Sequence, residues 1–266
     1  MEDFAIRIES LYVGISGMNI IENVSLQIPK GKITVLIGIN GSGKSTLLKA
    51  ISKILPIKKG NIYLNGIATH QMSFRELAKK LAMLPQTYDS QLSMTVRELV
   101  EQGRFPHSGA LKMLRKQDHI AIEYALELTN LSTFQNRHLD ELSGGERQRA
   151  WLALSLAQAS DILLLDEPTT FLDVRHQLDL LNLIKQLNQN ENKTIVMVLH
   201  DINQALNYAD HIIILKDRGI YAQGNPHKVI TEQMLIDVYK VKARIIEDPI
   251  SGHSVCIPYQ TVGHTI

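Results

Sequence analysis

The spacing of apolar positions changes along this chain, and each change marks an element. Residues Ile6 to Ile28 alternate loosely and are rich in Ile, Val and Leu, which predicts two antiparallel strands joined near Gly14 to Met18. Pro29-Lys30-Gly31 then reads as a turn. Alternation gives way to a continuous β-branched run, Lys32-Ile33-Thr34-Val35-Leu36-Ile37, the pattern of a strand buried on both faces of a parallel sheet. Leu47-Leu48-Lys49-Ala50-Ile51 reads as a helix, Asn61 to Gly66 as a strand ending at a turn, and Leu81 to Leu84 as a short buried strand. Between the last two, Ser73-Phe74-Arg75-Glu76 has capping-box spacing and predicts a helix start.

From Pro85-Gln86 to about Ser160 the period becomes helical. Thr95-Val96-Arg97-Glu98 is a second capping box before an amphipathic helix, Asp118 to Leu128 a second helix, and Ser143-Gly144-Gly145-Glu146 opens a third, apolar on one face. Arg104 to Gly109 reads as a loop. Buried-strand runs return at Ile162 to Asp166 and Thr194 to Leu199, separated by a helix over Asp173 to Gln189, and Asp201 is placed to cap another helix. Asp217-Arg218-Gly219 between Ile212 to Leu215 and Ile220 to Ala222 is a hairpin signal. A helix near Thr231 to Tyr239 and a hairpin over Arg244 to Pro258 close the chain, with no internal repeat.

Composition narrows this picture only a little. The 266 residues allow one large α/β domain or two small ones. A hydrophobic share of 44% and a charged share of 21% are ordinary for a globular protein, and a formal net charge of +1 implies no nucleic acid or other polyanion as partner. No apolar run reaches the roughly 18 residues of a membrane span, and Met1-Glu2-Asp3-Phe4 lacks a signal peptide's basic head, so a cytosolic protein is expected. The single cysteine, Cys256, is expected in the core of a C-terminal strand.

The chemistry starts at Gly38-Ile39-Asn40-Gly41-Ser42-Gly43-Lys44-Ser45-Thr46, set between the buried strand and a helix. That is the context a phosphate-binding loop requires: glycines let amides curl round an anion, and the helix start adds unpaired donors and a positive dipole end. Lys44 can reach the β- and γ-phosphates, and the Ser45 hydroxyl can hold Mg²⁺. A second cluster, Asp166-Glu167-Pro168, ends a buried strand, where ligands sit in open parallel sheets. There Asp166 is placed to hold Mg²⁺ and Glu167 to polarise the water that attacks a γ-phosphate.

With Gln86, Leu142-Ser143-Gly144-Gly145-Glu146-Arg147-Gln148, Asp173 and His200 added, the chain closely resembles the ATP-binding subunit of ABC transporters, in the family's motif order. The resemblance implies ATP and Mg²⁺ as cofactors and a head-to-tail homodimer. Ser143, Gly144 and Gly145 would then meet the γ-phosphate held by the other subunit, Gln86 would reach Mg²⁺ or the attacking water, His200 would contact the γ-phosphate, and Asp173 would lie at the subunit interface. The family stacks adenine on an aromatic residue before the second strand; that position falls at Ile15 here, with Tyr12 three residues earlier, and either can face the base.

Gly103-Arg104-Phe105-Pro106-His107, Thr169-Thr170-Phe171-Leu172-Asp173 and the tail Asp248-Pro249-Ile250-Ser251-Gly252 are similar to the branch that imports iron-siderophores, haem and cobalamin. By that resemblance the chain is a P-loop α/β protein with a mainly parallel sheet, an N-terminal antiparallel β subdomain and an inserted helical subdomain. The expected parts are a nucleotide-binding core over 1–86 and 161–230, the helical subdomain over 87–160 and a C-terminal extension over 231–266. The implied function is the ATPase of an iron-siderophore importer, peripheral on the cytoplasmic membrane face. Two copies would dock on permease subunits fed by an external substrate-binding protein, with the Arg104 to His107 loop either near the permease or a surface turn. The alternatives are a haem or cobalamin importer, or a soluble ABC ATPase acting on ribosomes or nucleic acid; one P-loop, one signature and no heptad run weigh against the latter.

Overall fold

The computed structural model describes residues 3–86, 93–108, 113–170, 172–249 and 252–263. Gly109, Phe171, Ile250 and Ser251, which figure in the readings above, lie outside the described residues.

In chain order, β1 (Phe4–Ile15) and β2 (Met18–Pro29) are followed by β3 (Ile33–Ile37), α1 (Lys44–Ile51), β4 (Ile57–Leu64) and β5 (Ile67–Ala68). Next come α2 (Phe74–Lys80), β6 (Leu81–Leu84), α3 (Val96–Gln102), α4 (Lys116–Leu128), α5 (Gly144–Ala157), β7 (Ile162–Leu165) and α6 (Val174–Glu191). The chain ends with β8 (Thr194–Val198), α7 (Ile202–Tyr208), β9 (His211–Lys216), β10 (Gly219–Gly224), α8 (Pro226–Val229), α9 (Glu232–Met234), β11 (Val241–Glu247) and β12 (Ser254–Thr261). These elements fall into two compact units, Met1–Thr69 with Thr194–Ile266, and His70–Lys193.

In the first unit β1 pairs antiparallel with both β2 and β4, and β3 lies parallel between β8 and β9, with β10 antiparallel on the outer side of β9. Every residue of β3 and β8 is buried, as two-sided cover of a parallel strand demands. The turn between β9 and β10 is made by Asp217 and Arg218, both left-handed with φ 47° and 67°, while Gly219 already belongs to the strand. The helix expected near Thr231 is two short pieces, α9 capped by the Thr231 hydroxyl and a π-type turn over Leu235–Tyr239. The C-terminal hairpin is present, and Cys256 is buried in β12.

In the second unit β6 and β7 are parallel neighbours. The capping boxes of α2 and α3 are both made: Ser73 and Thr95 each accept from the backbone of the Glu three residues on, whose carboxylate returns to the cap. Two expectations fail here. Helix α5 is not apolar on one face: it packs against α3, α4 and β6, so Gln148, Ala150, Leu152, Ala153, Ser155, Leu156 and Ala157, spread round the helix, are all buried. Arg104 is no surface residue. Only 6% exposed, its Nε donates to Asp118 Oδ1 at 2.8 Å and its Nη1 to the Ala157 carbonyl at 2.7 Å. Burial would raise the Asp118 pKa, but the Arg115 amide and the Arg104 guanidinium outweigh it and hold the carboxyl below its ordinary value. A guanidinium this deep is stable only with such partners, and neighbouring Phe105 stays exposed instead.

Candidate nucleotide site

Strand β3 delivers the phosphate-binding loop and α1 receives it. Gly38 has φ 146°, and a Cβ there would lie 2.3 Å from the Leu215 carbonyl oxygen of β9, so no side chain fits. Gly43 is the α1 N-cap in the left-handed region, φ 99°, and a Cβ would meet Ile21 Cδ1 at 2.8 Å. Because that cap is a glycine, no side chain caps α1, and its first turn contains no acidic residue. The first-turn donors are therefore not spent on a capping side chain. Lys44 is buried, with Nζ donating to the Gly38 and Ile39 carbonyls at 2.8 and 3.0 Å. Among the described residues the buried Ser42 hydroxyl has no hydrogen-bond partner. A loop with a cation inside it, a buried hydroxyl to satisfy and open space beside Gly41 has the donors an oligophosphate needs.

Parallel pairing fixes what else leaves this sheet edge. Leu36 is in register with Val198, and the Leu199 amide donates to the Leu36 carbonyl at 3.3 Å. His200 therefore emerges from β8 at the same strand end as Gly38 leaves β3, and it is exposed there. Asp201 caps α7 by accepting from the Gln204 amide at 2.9 Å. Tyr239, which the sequence did not single out, is half-buried with its hydroxyl covered, and burial pushes its phenol far above the ordinary range, with the Gly38 amide working in the opposite direction. Tyr12 sits in β1 with Lys59 Nζ 6.0 Å from its ring centre, whereas Ile15 ends β1 at the hairpin turn and is 43% exposed.

In the second unit the same logic joins two residues 81 positions apart. Leu84 pairs with Leu165, so Gln86 and Glu167 each stand two residues beyond the end of neighbouring parallel strands. They meet: Gln86 Nε2 donates to Glu167 Oε2 at 2.7 Å. The Thr170 hydroxyl adds a second donor to that oxygen at 3.2 Å, a contact the sequence reading missed although Thr170 lay in a motif it noted. Glu167 itself is left-handed, φ 52°, which turns its carboxylate away from the line of β7. Asp166 is 1% exposed, its amide donating to the Leu84 carbonyl at 3.0 Å. Among the described residues no group of three or more His, Cys, Asp or Glu can hold a metal alone. Asp166, Glu167 and Gln86 offer oxygen donors of the kind Mg²⁺ takes, a cation that keeps few protein ligands and fills the rest with substrate phosphate oxygens.

Ser143 caps α5 in a closed capping box. Its amide and hydroxyl donate to Glu146 Oε2 at 2.8 and 2.6 Å, and its oxygen accepts from the Glu146 amide at 3.3 Å. The Ser143 hydroxyl, and next its amide, hold the Glu146 carboxyl below its usual pKa. Among the described residues nothing lies within 4 Å of a Cβ on Gly144, and a cavity of about 330 Å³ opens beside Gly145, lined also by Gln148, Leu172 and His176. Asp173 caps α6, accepting from the His176 amide and ring Nδ1, both at 2.9 Å.

The ABC transporter family model matches residues 21–170. The iron(3+)-hydroxamate import ATP-binding protein FhuC of Bacillus subtilis is 44% identical, over 96% of this chain and 94% of that protein. The ferric enterobactin transport ATP-binding protein FepC of Escherichia coli is 40% identical, over 95% and 93%. A solved ATP-binding cassette, dimeric in a post-hydrolysis state with ADP and phosphate, superimposes with a TM-score of 0.73 at 30% identity, over 83% of this chain and 98% of that one.

Proposed function

This chain belongs to the ABC transporter family as an ATP-hydrolysing subunit, and on that premise we propose that it powers uptake of an iron-siderophore complex through a separate permease. The relatives' iron-chelate import supports the cargo. Lys44 and the amides of the loop bind the β- and γ-phosphates of ATP. Ser45, Asp166 and Gln86 are assigned to Mg²⁺, which neutralises charge on phosphate oxygens when bound. Glu167 takes a proton from the attacking water, and Gln86 and Thr170 hold its carboxylate in place while it does so. His200 donates to the γ-phosphate. Ser143, Gly144 and Gly145 serve the ATP of a second copy, so that ATP closes a homodimer and hydrolysis reopens it. Adenine is assigned to the exposed tip at Ile15, with Tyr12 the alternative.

No helix among the described residues is long and apolar enough to cross a membrane. The relatives' role in import supports a peripheral subunit on the cytoplasmic face, with an external substrate-binding protein feeding the permease. Phe74, Phe105 and Met113, 70%, 61% and 72% exposed, form the permease-facing surface; Arg75 ties α2 to that loop through the Pro106 carbonyl at 2.9 Å. The observation that carries the reading is the Gln86–Glu167 pair, a general base held by a polar side chain at a sheet edge. The test is growth of a deletion strain with a ferric hydroxamate as sole iron source. The wild-type gene should restore growth and Lys44→Ala should not. Normal growth on the hydroxamate, with failure on haem or cobalamin, would move the cargo to those ligands. Phe105→Asp should cut uptake more than it cuts ATP turnover by the purified chain.

A further inference from the structure

The segment that carries His200 is held at two points. On one side the Leu199 amide is bonded to the Leu36 carbonyl. On the other, three residues past His200, the Asn203 side chain grips the C-terminal hairpin: its Oδ1 accepts from the Cys256 amide at 2.7 Å and its Nδ2 donates to the Cys256 carbonyl at 3.2 Å. One carboxamide thus pairs with both backbone groups of a single residue, as a neighbouring strand would. Cys256 faces Ile245 across the hairpin, and both of its polar groups point outward, so it occupies a non-hydrogen-bonded pair of the ladder. Its amide and carbonyl would otherwise be left on a bare strand edge at the one residue of β12 that is buried. Asp201 is committed to the Gln204 amide, which fixes the first turn of α7 and with it the direction in which Asn203 points.

Between these anchors lies the segment His200 to Ile202. The hairpin β11–β12 is otherwise peripheral, with most of β12 exposed, and no nucleotide-binding motif falls within it. A peripheral hairpin gripped so close to a candidate catalytic histidine does more than finish the fold. We propose that Asn203 is a positioning residue for His200, and that the C-terminal hairpin serves ATP hydrolysis at one remove by fixing, through Cys256, the backbone from which His200 reaches the γ-phosphate. This rests on the assignment of His200 given above.

The experiment is a double-mutant cycle on ATP turnover by the purified full chain. Asn203→Leu keeps the approximate volume and removes both hydrogen bonds. We expect kcat to fall about ten- to hundredfold with KM for ATP within about twofold, the signature of a misplaced transition-state contact. In a His200→Ala background the same substitution should have no further effect, because the group it positions is gone. Asn203→Asp keeps the acceptor for the Cys256 amide and should recover part of the loss, which also guards against a leucine variant that fails to fold. Additive losses in the two backgrounds, or an unchanged kcat in Asn203→Leu, would overturn the positioning role. If His200→Ala alone leaves turnover unchanged, the assignment of His200 falls first, and that result is read before the cycle is closed.

Discussion

Two helix starts in this molecule face the same problem and solve it in opposite ways. Helix α1 follows a glycine-rich loop and α5 opens on two glycines, and each start carries the positive end of a helix dipole. At α1 the cap is a left-handed glycine that spends no side chain on the helix, and a lysine ammonium lies within the loop. That start is short of negative charge. At α5 the cap is Ser143, the third residue is Glu146, and the two satisfy each other. That start has already supplied its own anion. The difference teaches that a glycine-rich helix start is not by itself an anion site. On the roles proposed above, the first can bind alone, whereas the second would have to open its capping box or share it with an incoming phosphate, as a site completed by a second copy's nucleotide would.

The largest expected effect comes from removing what the first site has and the second lacks. Lys44→Ala should lower ATP turnover by at least about 100-fold, as loss of a charge-stabilising group at the reacting phosphates does. Nucleotide binding measured by fluorescence should weaken in the same protein, and unchanged turnover would put the nucleotide elsewhere. Next comes Glu167→Gln. It keeps an oxygen to accept from Gln86 but loses the charge, so turnover should drop about 10²–10⁴-fold while binding persists. With ATP and Mg²⁺ that variant should elute as a dimer in gel filtration. A variant that binds ATP tightly yet stays monomeric would sink the shared site at α5.

How much of this was legible follows from how far apart the partners lie. The strand–loop–helix at Gly38 to Thr46 and the boxes at Ser73, Thr95 and Ser143 are local, so the sequence displays them whole. The short α8 was missed although its signal was there: Pro226 stands at the first helical position, after Asn225, whose side chain accepts from the His227 amide. Arg104 was misplaced for a different reason. A loop-like run of residues says nothing about Asp118 and Ala157, whose positions only the packing of α3, α4 and α5 decides. Nor does periodicity report that α5 is covered on several sides. The Gln86–Glu167 and Asn203–Cys256 contacts depend on strand register over 81 and 53 residues; the first could be anticipated only through family resemblance, and the second not at all.

A smaller effect separates capping from catalysis at α5. Ser143→Ala removes a capping hydroxyl and should cost about 1 kcal/mol of stability by chemical denaturation. ATP binding by dilute monomer should be unchanged, since the loop that binds it belongs to α1. A loss of monomer binding would mean that α5 serves the nucleotide of its own chain.

The smallest and most discriminating change is Glu146→Gln, because it leaves the capping box nearly intact and removes only its charge. The Ser143 hydroxyl and amide hold the Glu146 pKa below its ordinary value. A depressed carboxyl stabilises the fold fully above its unfolded pKa and loses that contribution as the pH falls through the lower folded value. The acid side of the stability curve should therefore flatten in the variant, below about pH 4.5 and not at neutral pH. Glu146 is half-exposed, so the change should be small and should shrink further with added salt. Dimerisation should respond in the other direction. A carboxylate beside an incoming γ-phosphate repels it, and the neutral amide still accepts from Ser143. In the Glu167→Gln background, Glu146→Gln should thus form the dimer at lower ATP concentration, with the gain greatest at low ionic strength. If the dimer instead weakens, Glu146 is holding the Ser143 hydroxyl in the orientation that meets the phosphate. The closed box would then be the working form of the second helix start, and the contrast with α1 would be one of timing rather than of charge.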